Sequence, residues 1–407
     1  MKKRVSFCTI EKNTERTTHM LNKPRLLTPG PTPLPERVRL AMAHDMIHHR
    51  KAQFKALFGE VQTGLKELFG TTQVVLPMAA SGTGAMAAAV TGLFQPGETV
   101  LVVEAGRFAE RWSEICRMHG IHVVVITVPW GEGVAPQAVQ KALAAHPEAS
   151  GVLMQLSETS TGVQHPVKEV AAITRESKAL LVVDGISGVS IAPCPMDAWG
   201  IDCLVTGSQK GLMLPPGLAL LAFSGRAWQK AEGVPPCNFY FNLLAERENC
   251  LKNQTNFTTP VSLIVGLRES LAMFRETGLE AVYRKQWALT RMVRASVKAM
   301  GLTLYAPTHF AWGVTSILLP EAMNASTLVA HATSQHGVIF AAGQGHMKDR
   351  MVRFGHMGWV DYGDILAGLH ALAASYVALG GFISCRDYLE QGLVAYHTAL
   401  QEPITLV

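Results

Sequence analysis

Between residues 73 and 224 the sequence repeats one pattern: an apolar run of about five to seven residues rich in Val, Ile and Leu, then in most cases a helical window, then another apolar run. The runs fall at 73–78, 99–104, 122–128, 151–156, 179–184, 202–206 and 218–224, with helical windows at 54–69, 82–94, 136–145 and 167–177. Strands this uniformly apolar are buried on both faces. In a chain that alternates strand with helix, that means a mostly parallel sheet between two helical layers, an α/β fold. Residues 28–35, TPGPTPLP, are rich in turn formers, so the chain enters this fold as a stiff extended segment. From about 280 the texture changes to long helices around strands at 311–318, 338–341 and 351–354. A large unit over 21–280 followed by a smaller α+β unit over 281–407 is therefore expected. Residues 1–20 read as a poorly ordered arm: a basic start is followed by a six-residue apolar patch, too short for a signal peptide, and Glu11 and Glu15 argue against a transit peptide.

Composition excludes several classes of function. With 407 residues, 48% of them hydrophobic, the chain can bury a core in two or three domains and is not disordered. Its 36 Lys and Arg against 31 Asp and Glu are scattered, without a basic stripe interleaved with aromatics, so nucleic acid is not an expected partner. The longest apolar stretch, 371–383, is shorter than the roughly 20 residues that cross a bilayer, and no membrane association is expected. Seven widely spaced cysteines without a CxxC pair suggest neither a metal centre nor a disulfide framework, and fit a reducing, cytoplasmic setting.

Three segments carry candidate chemistry. Gly82-Thr83-Gly84-Ala85-Met86-Ala87 matches GxGxxA between a strand and a helix, and Glu104 ends the next strand. Those are parts of a dinucleotide-binding fingerprint, which would make the chain an NAD-dependent dehydrogenase. Under any reading, the backbone N–H groups around Ser81, Gly82 and Thr83 form an anion cup at a helix N-terminus. Asp184 sits at the carboxyl end of the apolar run 179–184, where open α/β sheets bind ligands. Lys210 follows another strand among small residues, where desolvation lowers an amine's pKa. Phosphate cup, buried carboxylate and low-pKa lysine together are what Schiff-base chemistry on pyridoxal 5'-phosphate requires.

At this point the sequence resembles the class V aminotransferases on the pyridoxal-phosphate fold type I. Within them it is most similar to the alanine–glyoxylate and serine–glyoxylate (serine–pyruvate) enzymes. The motifs that carry the resemblance run in order from about 26 to 376: TPGPTPLP (28–35), SGTGAM (81–86), GRFAERW (106–112), SETSTGVQHP (157–166), VVDGISG (182–188), GSQKGLMLPPG (207–217) and VRFGHMG (352–358). The resemblance implies a seven-stranded sheet in the large unit, a homodimer with shared active sites, and transfer of an amino group from alanine or serine to glyoxylate or pyruvate.

It also implies roles for individual residues. Lys210 would carry the cofactor and move the Cα proton, and Asp184 would pair with the pyridinium nitrogen. Ser81, Gly82, Thr83 and Gln209 would hold the phosphate, and Phe108 would stack on the ring where many relatives carry Trp or Tyr. Thr159 would donate to the ring's phenolic oxygen and Arg353 would bind the substrate carboxylate. Thr258 would reach the phosphate of the neighbouring subunit, although Thr255 stands where some relatives have tyrosine. His48, His49, Arg50 and His356 lie in segments that resemble entrance-lining parts of that family; a structural role is expected for them at least as much, and they stay outside the catalytic set. Two rivals share the fold: a transaminase of another amine (an aminophosphonate or ureidoglycine), and a cysteine desulfurase, disfavoured because Gln209 precedes the lysine where those enzymes have His.

Overall fold

The computed structural model describes residues 23–404; the arm expected over 1–20 lies outside them. Seven strands form the central sheet: β1 (Val75–Ala79), β2 (Thr99–Glu104), β3 (His122–Thr127), β4 (Gly151–Gln155), β5 (Leu180–Asp184), β6 (Cys203–Gly207) and β7 (Leu218–Phe223). Their spatial order is β1-β7-β6-β5-β4-β2-β3, and β7 alone runs against the others. The exception has a local cause. Residues 208–217 link β6 to β7 without a crossover helix, and a parallel return needs about a dozen residues or more.

Local signals set the element ends. Gly70 closes the helix Ala52–Phe69 with φ of 61°, and Ser81 caps the helix Gly82–Leu93 by accepting from Gly84 N at 3.4 Å. The apolar strands and the inner faces of their helices form one core, in which Trp112, Trp228, Phe54 and Phe58 are among the largest fully buried side chains. The helix Val261–Thr277 packs into this core through Ile264, Leu267 and Phe274.

After Gly278 the helix Leu279–Ala299 enters a second core with Leu289, Met292 and Val293. There a four-stranded sheet is built from β8 (Thr303–Leu304), β9 (Val314–Leu318), β10 (Ala341–Ala342) and β11 (Met351–Gly355), in the order β8-β9-β11-β10. The strand expected over 338–341 is in fact two. Val338–Ile339 pairs with Arg25–Leu26, whereas β10 pairs with β11. Phe340, buried against Phe354 at 5.0 Å, is the pivot between them. The start of the extended N-terminal segment, expected with the large unit, thus joins the second: its first strand pairs there and Leu27 enters that core. The strand expected over 311–318 begins only at Val314, because Ala311 N is taken by Gly162 O at 2.8 Å.

Candidate active site

The parallel strands deliver their carboxyl ends to one edge of the sheet, and the candidate residues collect there. Beyond β1, the N–H groups of Gly82 and Thr83 have no acceptor among the described residues, so the cup at the helix N-terminus is open to an anion. A Cβ on Gly82 would meet Ile186 Cδ1 at 2.5 Å, so glycine lets the helix start come up against the strand β5 turn. The cup has a cation that sequence reasoning did not single out. Arg111 Nη1 donates to Thr83 Oγ1 at 2.8 Å, and its guanidinium lies 5.1 Å from the Phe108 ring centre. The one available signal was its position a turn after Phe108 on the helix Arg107–Met118.

Asp184 ends β5 between Gln155 of β4 and Val205 of β6, and is 5% exposed. Its Oδ1 accepts from Ile186 N at 2.8 Å; no donor to Oδ2 is present among the described residues. Burial pushes this carboxyl up to about 7, against the Ile186 N–H. Lys210, 9% exposed, lies in the β6–β7 link. Its Nζ donates to the Pro29 carbonyl, and Thr32 Oγ1 donates to the Lys210 carbonyl at 2.9 Å. Burial, with the nearby Arg353 charge, brings the amine down to about 8, opposed by Asp184. The extended 28–32 segment is therefore one wall of the lysine's seat, a role its sequence did not disclose.

Arg353, on β11, is 7% exposed and reaches in from the second sheet. Its Nε donates to Ala342 O at 2.9 Å and its Nη1 to Thr159 O at 3.3 Å; Nη2 has no partner among the described residues and remains for a ligand. Burial lowers its pKa to about 10, opposed by Glu158. Phe108 is half-buried at the start of its helix. The Thr159 hydroxyl donates to Ser187 Oγ at 2.7 Å, so a ring oxygen would have to compete with that contact. Gln209 is half-buried with no hydrogen bond among the described residues. Thr258 is not part of this cluster. It is exposed, touches His49 Nε2 at 3.5 Å, and sits on a loop that Arg50 holds through Thr255 O and Asn256 O.

His356 is fully buried between Thr315 and Gln286, and burial lowers its pKa to about 3. Among the described residues no three His, Cys, Asp or Glu side chains form a metal-binding group. The dinucleotide fingerprint loses its second part, since the Glu104 carboxylate accepts from Ser113 on the following helix. A phosphorylated pyridine aldehyde fits what remains. The open cup matches its phosphate, the unpaired Oδ2 of Asp184 its ring nitrogen, and the desolvated Lys210 amine its aldehyde.

Comparison with known proteins gives the same picture. The family model for Aminotransferase class-V matches residues 35–360. A protein named soluble hydrogenase, small subunit, from a Synechococcus species is 36% identical over 89% of this chain and 95% of its own length. The L-aspartate–glyoxylate aminotransferase of Paracoccus denitrificans is 35% identical over 86% of this chain and 90% of its own. The serine–glyoxylate aminotransferase of Methylorubrum extorquens is 32% identical over 91% and 97%. Among solved structures, pyridoxamine–pyruvate aminotransferase of Mesorhizobium loti superposes with a TM-score of 0.89 at 26% identity, covering 93% of this chain and 98% of that one.

Proposed function

The chain belongs to the class V aminotransferases, on the pyridoxal-phosphate fold type I, and we propose that it moves an amino group from alanine or serine to glyoxylate or pyruvate, with pyridoxal 5'-phosphate held at Lys210. The observation that carries this reading is the joint burial of Lys210 and Asp184 at the carboxyl edge of the sheet, beside an open anion cup.

When bound, the cofactor supplies an aldehyde for the amino group and an electron-withdrawing ring for the charge left at Cα. Ser81, Gly82 and Thr83 hold its phosphate with Gln209 beside them, and Phe108 covers the ring face. Asp184 keeps a proton on the ring nitrogen. Arg353 orients the substrate carboxylate through its free Nη2 edge, which places Cα toward the lysine. Lys210, its amine brought down to about 8, is a free amine in about a tenth of molecules at pH 7 and in most above pH 8, against almost none for an ordinary lysine, so its Nζ can take a proton from Cα and return it.

A homodimer belongs to the same proposal. Thr258 is exposed beside the stacked pair Tyr240 and Phe257 (5.4 Å) and the 86% exposed Phe239, a face suited to a second copy whose cup Thr258 would complete. So does a cytoplasmic setting, supported by the free cysteines, six of them among the described residues; no helix among those residues is long and apolar enough to cross a membrane.

The test is a visible absorption spectrum of the protein with pyridoxal phosphate, repeated after adding serine, alanine, aspartate or aminoethylphosphonate in turn. Bleaching of a yellow band by serine or alanine supports the reading. Bleaching by aspartate or aminoethylphosphonate alone moves the donor to those amines, and a protein that never takes up colour overturns it.

A further inference from the structure

The helix Arg107–Met118 begins at Gly106, which has no side chain to cap it, leaving the N–H groups of 107, 108 and 109 in need of acceptors. They are met from elsewhere in the chain. Ser160 Oγ accepts from Arg107 N at 3.0 Å, Glu158 Oε1 from Phe108 N at 3.5 Å, and Glu158 Oε2 from Ala109 N at 3.0 Å. Oε1 also takes Ser160 N at 3.0 Å and the Ser160 hydroxyl at 2.6 Å. The Glu158 side chain is fully buried, and no Lys or Arg among the described residues forms a hydrogen bond or salt bridge with it. Four of these contacts are backbone N–H or hydroxyl donors pointing at the carboxyl, which together with the positive end of the helix dipole oppose the upward push of burial on its pKa.

We propose that Glu158 is a positioning residue, which ties the start of the Phe108 helix to the Thr159 loop and so sets the Phe108 ring against the cofactor and the Thr159 carbonyl against Arg353. This rests on the functional reading above. A cap at position 106 itself would satisfy the helix without the free-energy cost of burying a carboxyl group. Capping from the loop instead makes two site walls one unit. The residue before Phe108 is shaped for it: a Cβ on Gly106 would fall 2.6 Å from Glu158 Cδ and 2.5 Å from Ser160 Oγ. Since Gly106 has φ of 167°, which any residue adopts, that space and not backbone freedom calls for glycine.

Two variants test this by different routes. Glu158→Gln keeps the volume but sets an amide N–H against at least one of the donors, whereas Gly106→Ala keeps the carboxyl and displaces it. For each, thermal unfolding of the cofactor-free protein, equilibrium binding of pyridoxal phosphate and the visible circular dichroism of the bound form are compared with wild type. Both variants are expected to weaken pyridoxal phosphate binding about tenfold or more and to diminish the visible dichroism. If Glu158→Gln does not fold, Gly106→Ala decides alone. Lower melting temperatures with wild-type affinity and dichroism would overturn the proposal and leave a purely structural cap. A wild-type protein that binds no pyridoxal phosphate would instead overturn the functional reading, and this inference with it.

Discussion

Gly30 lies so close to Lys210 that a Cβ on it would fall 2.4 Å from the lysine Nζ and 2.7 Å from its Cδ. The TPGPTPLP segment thus fixes where the amine sits, from far upstream in the chain. Gly30→Ala should push the lysine from its seat and, because φ at Gly30 is 127°, should also strain the backbone by about 1 kcal/mol or more. The expected result is a folded protein with a lowered melting temperature that takes up pyridoxal phosphate at least about tenfold more slowly. Stopped-flow absorbance measures it; an unchanged rate would show that the amine does not depend on this wall.

Asp184 gives a prediction whose sign differs between the free and the loaded protein. Burial raises its carboxyl to about 7, so the folded protein without cofactor holds this proton more tightly than the unfolded chain. The resulting stability is present below the ordinary carboxylate range and is lost as pH rises through about 7. Asp184→Asn should therefore raise the melting temperature of the cofactor-free protein at pH 8, with a smaller gain at pH 5, while weakening pyridoxal phosphate binding. Calorimetry at both pH values checks the first part and equilibrium binding the second.

Lys210 has the opposite linkage. Its amine is lowered to about 8 by burial and Arg353, so between that pH and its ordinary 10.5 the folded state binds fewer protons than the unfolded chain. This group's share of stability rises with pH across that window. Capture of pyridoxal phosphate by the cofactor-free protein should climb roughly tenfold per pH unit below about 8 and level off above it. A rate still climbing at pH 10 would mean that the amine is not desolvated.

Arg353→Lys should separate binding from turnover. Arg353 already gives Nε to Ala342 and Nη1 to Thr159, and its planar fork leaves Nη2 for a carboxylate. Lysine cannot keep both seats and present that edge. The apparent KM for amino donor and oxo-acid acceptor should each rise about tenfold or more, with kcat changed less. Steady-state kinetics with both substrates checks it, and an unchanged KM would assign the carboxylate to another group.

The parts of this fold that were legible in the sequence are those set by local chemistry. The strand Thr99–Glu104 and the helix Pro136–Ala145 fall where their apolar patterns end, and Asp184 stands at a strand end as its sequence neighbours require. What escaped depends on contacts between distant segments. Nothing periodic in TPGPTPLP says that it packs on Lys210, since that contact is made across 181 residues. The 338–341 stretch reads as one strand because propensity cannot see that Phe340 turns its two halves toward different partners. Arg111 and Glu158 both lie inside quoted motifs, but their roles come from the approach of separate loops to one helix start.

The most direct test of the account is to load the protein with pyridoxal phosphate, reduce it with borohydride and map the modified peptide by mass spectrometry, with Lys210→Ala alongside. The account predicts one pyridoxyl group on Lys210 in the wild-type protein and none in a variant that remains folded. A label on another lysine, or Lys210→Ala turning over alanine or serine at the wild-type rate, would contradict it.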